Sequence, residues 1–406
     1  MNPDYHKKLS SLGVHFGINL NNGEINKIHQ KSSLFLEGER RNNSLGEFFF
    51  KENDYIVGYE HGRIKFSDLF FEDVNIKFPD QIRLIRFNQC VFIDTETTGL
   101  SQSGGTFAFM VGVGFFIEKT FIVRQYFLID PSQEDAMLLD LLNLLDQFDI
   151  LVSYNGLSFD IPIIRSRYKY HRIPNHINQK EHIDLLKYAR ILFRYQLDNR
   201  SLKNIEKLIL HFERNEDEVP GYLAPIIYQN YLRTKEIEEI NGVFYHNAMD
   251  VVSLVAFMKV INEISTNNYQ YSDHYETLNY SIAKQFEKNK SHVDAIKTYK
   301  LALDQNNLPE TIRLNCMLSL AKLYKNANLQ NLAINYWKQA IEIGSFDAHI
   351  ELAKIYEHKF KDFEVALDYC KKALLILEND IESIKGKFLY KELQHRIKRI
   401  INKASK

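Results

Sequence analysis

The sequence predicts a mixed α/β sheet flanked by helices, followed by an all-α region of helical repeats. Two observations carry this reading. From Cys90 onward, apolar and β-rich runs come in the order strand, strand, strand, helix, strand, and helical stretches follow to about Asn262. Beyond Ala283, small and aromatic residues recur at fixed offsets. Three strands in a meander with a parallel strand added give a mixed sheet. The strict alternation of a doubly wound fold is missing, and no Gly-x-Gly-x-x-Gly follows the first strand.

The elements can be justified in turn. Residues 1–85 show only short alternating segments, Tyr55–Gly58 and Arg63–Phe66, that read as small strands with turns. They are expected to form an N-terminal extension of unknown role that packs on the central domain. Val91-Phe92-Ile93 is an apolar run ending at Asp94. Phe107–Phe116 and Phe121–Ile129 read as a hairpin around Glu118-Lys119-Thr120. Pro131 opens a helix whose apolar stripe is Met137, Leu138, Leu141, Leu142 and Leu145. Ile150–Tyr154 is a short strand, and Phe159 starts another helix. The central domain is expected over 86–262, and the polar stretch Asn262–Ser272 is expected to be a linker.

The tail, 273–406, repeats. Ala283, Phe286, Ala295, Tyr299 and Ala302 have the same offsets as Ala321, Tyr324, Ala333, Trp337 and Ala340. Ala353, Tyr356, Ala366, Cys370 and Ala373 match with one inserted residue. Small residues let paired helices approach closely, and aromatics fill the gaps between pairs. This pattern resembles tetratricopeptide repeats, here three helix pairs, with Ile381–Ile401 as a capping helix.

Composition excludes several classes. A hydrophobic fraction of 45% supports a full core and rules out a disordered chain. The longest nearly uncharged apolar run, Thr106–Ile117, is too short to cross a bilayer. Met1–Lys8 lacks the basic-then-apolar order of a secretion signal. Cys90, Cys316 and Cys370 are too widely spaced for a disulfide framework or a zinc site, so a cytoplasmic location is expected. Net charge is −1, but Ile161–Arg214 holds 12 Lys/Arg against 5 Asp/Glu. That block includes Arg165, Arg167, Lys169, Arg172, Lys187, Arg190, Arg194 and Arg200, and a basic surface of this kind holds phosphates.

Three motifs carry chemistry. Asp94 and Glu96 lie two apart on a strand and so share one face. Asp160 opens a helix just beyond the strand that delivers Asn155. His246 and Asp250 lie four apart on a helix, again on one face. Carboxylates gathered in one pocket repel unless cations neutralise them, so Asp94, Glu96, Asp160 and Asp250 are candidate ligands of divalent metal. Carboxylate oxygens suit Mg²⁺ or Mn²⁺ better than zinc. His246 is the candidate general base, since its pKa lies near working pH.

Together, Phe92-Ile93-Asp94-Thr95-Glu96-Thr97-Thr98-Gly99-Leu100, Tyr154-Asn155 through Phe159-Asp160, and His246-Asn247-x-x-Asp250 resemble the DEDD exonucleases of the RNase H-like fold. More narrowly the chain is similar to the YprB-like group of predicted exonucleases. Gly104-Gly105-Thr106, His182-Ile183-Asp184-Leu185 and Pro220-Gly221 match further motifs of that group. The resemblance implies an RNase H-like sheet, two Mg²⁺ or Mn²⁺ ions held by Asp94, Glu96, Asp160 and Asp250, and hydrolysis of phosphodiester bonds from a 3′ end. Asp184 reads as structural. The chain departs from the superfamily pattern in placing His246 four and Tyr245 five residues before Asp250. A five-residue offset turns about 140° away on a helix, which favours His246, with Tyr245 in reserve. The expected partners are single-stranded DNA or RNA and, through the repeats, a protein; no membrane is expected. The alternative is a non-catalytic nucleic-acid-binding or scaffold protein working through its repeats. Carboxylate-dependent Mn²⁺ binding would separate the two.

Overall fold

A computed structural model describes residues 36–56, 58–66, 69–75, 85–99, 105–215, 218–266, 275–377 and 383–405. The reading of Met1–Lys8, Leu100 and Gly104 of the motifs, and most of the expected linker lie outside the described residues.

The strands are β1 (Glu39–Asn43), β2 (Gly46–Tyr55), β3 (Glu60–His61), β4 (Ile64–Lys65), β5 (Asp73–Val74), β6 (Ile85–Arg86), β7 (Cys90–Thr97), β8 (Ala108–Ile117), β9 (Thr120–Phe127), β10 (Ile150–Ser153) and β11 (Glu181–Asp184). Among the described residues the main sheet has seven strands in the order β1-β2-β9-β8-β7-β10-β11. The β1, β2, β9, β8 and β7 pairings are antiparallel, and β10 pairs in parallel with both β7 and β11. The expected mixed α/β sheet is therefore present. Two features go beyond the sequence reading. The stretch before residue 85 supplies two strands of the main sheet, β1 and β2, with β2 pairing with β9 from Phe49↔Phe127 to Tyr55↔Phe121. A further strand, β11, interrupts what reads as a helical stretch.

Alternation along β7 decides which way the acids point. Val91 and Ile93 join an apolar cluster with Met137, Leu141 and Ile164, from helices α1 (Glu134–Leu145) and α2 (Asp160–Tyr170). Cys90 and Phe92 face the opposite cluster with Ile150, Val152, Val252 and Val255. Burying one such Phe is worth about 1.5–3 kcal/mol, so a slip of one residue in β7 is heavily disfavoured. Asp94 and Glu96 are in phase with Phe92 and so face the same side. The chain goes on through α3 (Leu185–Leu192), the short α4 (Leu202–Ile205), a single π-turn at Glu206–Leu210, α5 (Ala224–Thr234) and the long α6 (Glu238–Ser265). Helix α6 covers the face to which Asp94 and Glu96 point, with most of its residues from Asn247 to Ser265 buried.

The C-terminal region is helical throughout its described residues. Helices α7 (Leu278–Lys288) and α8 (His292–Leu303), α9 (Glu310–Asn326) and α10 (Gln330–Glu342), and α11 (Phe346–Ile355) and α12 (Phe363–Leu377) pack as consecutive pairs. The repeated alanines Ala283, Ala295, Ala302, Ala321, Ala333, Ala340, Ala353, Ala366 and Ala373 are all fully buried, as close helix approach requires. The last helix, α13 (Ile384–Ala404), is held by Glu357. This buried carboxylate accepts from Arg396 (3.1 Å), Arg399 (2.9 and 2.8 Å) and Lys403 (2.8 Å). Burial opposes its ionisation, but Arg399 and Lys403 prevail and hold it at about 2. Cys90, Cys316 and Cys370 are free and buried.

Candidate functional site

The motifs meet at one end of the sheet. The parallel register of β7 and β10 runs from Cys90↔Ile150 to Phe92↔Val152; continued, it brings Asn155 level with Thr95. Asn155 turns the chain with a positive φ of 65°. Asp184 fixes that turn: Oδ1 accepts from the Asn155 amide (2.8 Å) and Oδ2 from the Leu157 amide (3.3 Å). Asp184 also caps α3 through the Leu186 amide (3.1 Å). Its contacts are those of a structural residue. Asp160 then enters at the first turn of α2, where it accepts a hydrogen bond from the Thr95 hydroxyl.

The electrostatics show that the acids converge. Burial first, then Asp250, Asp160 and Glu96 push the Asp94 carboxyl well above its usual range, while a hydrogen bond from Asn247 opposes this. Glu96 is raised by burial and then by Asp250 and Asp160, with Arg214 opposing. Burial raises Asp160 to about 6 against the Thr95 hydrogen bond. Burial is the first cause in all three, and at Asp94 and Glu96 the charges of the neighbouring site acids add to it. Ligand atoms of Glu96, His246 and Asp250 all lie within 4.8 Å of one another.

His246 belongs to the cluster. Its Nε2 is 3.4 Å from Asp250 Oδ2 and 3.8 Å from Glu96 Oε1. Its Nδ1 lies 3.1 Å from Arg214 Nη1 and 3.3 Å from Glu218 Oε1. The ring rests over Gly221, where a Cβ would come within 2.9 Å of Nε2; that close approach accounts for the glycine of the Pro220-Gly221 pair. Tyr245 turns away. Its hydroxyl accepts from the Asn215 amide (3.1 Å), and its ring lines a separate hollow with Asn53, Tyr55 and Phe244.

The sequence reading missed the groups that support the acids. Asn247 donates to Asp94 Oδ2 (2.9 Å), and its own Oδ1 accepts from Gln125 (3.0 Å). Arg214, whose side chain is 4% exposed, donates to Asp250, to both oxygens of Glu206 and to Glu218 (3.2 Å). Burial raises Glu206 against the pull of Arg214. The chain of contacts continues backwards. Ser253 donates to Glu206 Oε1 (2.5 Å) and so accepts at 2.8 Å from Nε2–H of His61 on β3. Burial, then Arg214, lowers His61 to about 3, so the ring is neutral and Nδ1 accepts from Tyr59 (3.3 Å). The tip of the β3–β4 hairpin abuts the π-turn: the Arg63 amide donates to Leu210 O (2.9 Å), and a Cβ on Gly62 would collide with that carbonyl.

The basic block divides. Arg167 is not part of a phosphate-binding surface, contrary to expectation. It is buried in a two-pronged pair with Glu134 (2.7 and 2.5 Å) that ties α2 to α1, with His171 on the same carboxylate (2.7 Å). Lys187, Arg190 and Arg194 are exposed.

Comparison with known proteins fits this geometry. Residues 91–262 match RNase_H_2, of the RNase_H superfamily. Over 336 residues the chain is 31% identical to the Bacillus subtilis (strain 168) protein described as "Uncharacterized protein YprB". The alignment covers 80% of this chain and 79% of YprB. The chain belongs to the YprB family. Its sheet domain is therefore an RNase H superfamily domain, a class of nucleases. A family B DNA polymerase from Pyrobaculum calidifontis aligns with 59% of this chain and 29% of the polymerase chain at 13% identity. The TM-score is 0.32. Among the described residues no helix is long and apolar enough to cross a membrane.

Proposed function

We propose that this chain is a metal-dependent DEDD-type exonuclease that removes nucleotides from the 3′ end of single-stranded DNA or RNA. One observation carries the reading: carboxylates from three separate motifs meet, so that burial and then the charges of Asp250 and Asp160 push both Asp94 and Glu96 upward. The only cation bonded to any of them is Arg214, on Asp250, among the described residues. An oxygen-rich, anion-excess pocket fits hard divalent cations. When bound, two Mg²⁺ or Mn²⁺ ions would supply an activated water and neutralise charge on the phosphate. Asp94, Glu96, Asp160 and Asp250 would hold them.

The chain's own residues supply the rest. Asn247 holds Asp94 by one oxygen and leaves the other free. Arg214 takes Asp250 Oδ1 and leaves Oδ2 toward His246. His246 is the general base of this reading, and its Nε2 faces Glu96 and Asp250. The helical pairs, read as tetratricopeptide-like repeats over 273–406, dock a protein partner, and the chain works in the cytoplasm. The test is incubation with end-labelled single- and double-stranded DNA and RNA, with Mn²⁺ and with chelator. Shortening from the 3′ end that disappears in Asp94→Asn is the expected result; undiminished shortening by Asp94→Asn rejects the assignment.

A further inference from the structure

Where α3 meets α7 the surface sinks into a hollow of about 450 Å³. Arg190 and Arg194 come from the sheet domain side; Lys284 and Lys288 come from the first repeat helix. The one carboxylate in its wall, Glu287, is already engaged by Lys284 (2.9 Å) and by the Tyr299 hydroxyl (2.6 Å). That leaves the hollow strongly positive. Tyr195, 39% exposed, stands in the same wall with Arg194 over its ring at 5.8 Å, and it is braced by Tyr280 at 4.8 Å between centroids. The two walls are also bonded to each other, since the Thr277 hydroxyl donates to Gln196 (3.1 Å).

A second hollow of about 460 Å³ adjoins it through the shared Arg190. That one is lined by Tyr154, Asn155, Asn199 and Arg200, with Asp198 as its one carboxylate. Asn155 belongs to the turn that leads into Asp160, so the two hollows form a track from the repeat helix to the acid end of the sheet. Spaced cations beside an exposed aromatic ring are what a single nucleic-acid strand requires: charges for phosphates and a face on which a base stacks.

We propose that the first repeat helix is a wall of the substrate track, with Arg194, Lys284 and Lys288 gripping the phosphates of a single strand on its way to the acids. The proposal rests on the nuclease reading and gives part of the helical region a role in holding substrate. An acidic protein is the competing occupant.

The experiment uses the full chain with all metal chelated and fluorescein-labelled oligo-dT and oligo-U of 20 nucleotides. Anisotropy is read across a salt series for the parent and for a combined Arg194→Gln, Lys284→Gln, Lys288→Gln variant of unchanged melting temperature. The expected result is affinity lower by about tenfold and a salt slope shallower by about 2, at about 0.7 per phosphate contact on single strands. Removing three exposed lysines from remote helices (Lys338→Gln, Lys371→Gln, Lys398→Gln) should change neither. Equal affinity and slope for parent and groove variant would overturn the proposal and return the groove to an acidic protein. Hydrolysis of the p-nitrophenyl ester of thymidine 5′-phosphate with Mn²⁺ is measured separately on the parent, because so small a substrate cannot reach the groove. Failure there would count against the nuclease reading alone, and the anisotropy would still decide the groove.

Discussion

Two buried carboxylate sites in this molecule are built in opposite ways. Glu357 is one acid surrounded by Arg396, Arg399 and Lys403, and its pKa falls to about 2. At the sheet end, among the described residues, Arg214 is the only Arg or Lys paired with the acids, and burial together with like-charged neighbours pushes Asp94 and Glu96 upward. A site that only holds helices together balances its charge from within the chain. A site left anionic has a use for a cation from outside. The difference separates a charge-compensated clasp from an acid-rich cluster without reference to motifs.

The contrast is sharpest if one acid is removed from each. Glu96→Gln should cost more than the roughly 10–100-fold typical of outer positions around a metal, measured as Mn²⁺-dependent hydrolysis. Its metal-free melting temperature should stay level or rise, because repulsion is relieved. A clear fall would mean that Glu96 is structural. Next in size is Arg214→Gln, which leaves Glu206 and Asp250 without their shared partner. Apparent Mn²⁺ affinity should fall by roughly 10–100-fold, and stability should drop by about 3–5 kcal/mol, as for other broken buried pairs. Mn²⁺ at about 100 times its Kd should stabilise the parent by about 2.7 kcal/mol, read as a shift in melting temperature. The same addition should do nothing for Glu96→Gln.

At the clasp, Glu357→Gln should lower stability by about 1–2 kcal/mol and leave hydrolysis intact, because its cations are part-exposed and rehydrate. Its pH dependence has a definite sign. The folded pKa is depressed, so the contribution is present above the ordinary glutamate value near 4.5. It is lost as pH falls from there toward 2. A melting series on parent and Glu357→Gln in that window should converge at the acid end.

The acids were legible because local pattern places each of them. Asp94 and Glu96 end an apolar strand, and His246 and Asp250 keep helical spacing. The repeat pattern was legible for the same reason, since Ala283, Ala295 and Ala302 mark helix contacts by small size alone. The supporting groups were not. Asn247 meets Asp94 across 153 positions, and Arg214 meets Asp250 across 36, with no periodicity to announce either. Strands β1 and β2 were missed because β2 joins the sheet through β9, far along the chain, and because Phe48-Phe49-Phe50 breaks alternation. Arg167 was misplaced because charge counts cannot see Glu134 on the neighbouring helix.

The β3–β4 hairpin also has a kinetic consequence. Arg63 reaches Ile209 across 146 positions, and His61 reaches Ser253 across 192. Closing loops of that length is slow, because the entropy is lost before the contact is gained. The back wall of the acid cluster therefore closes late, after the strand that carries Asp94 and Glu96 has paired. In a refolding experiment, return of metal binding should lag behind return of secondary structure, which makes the pocket a reporter of the last step of assembly.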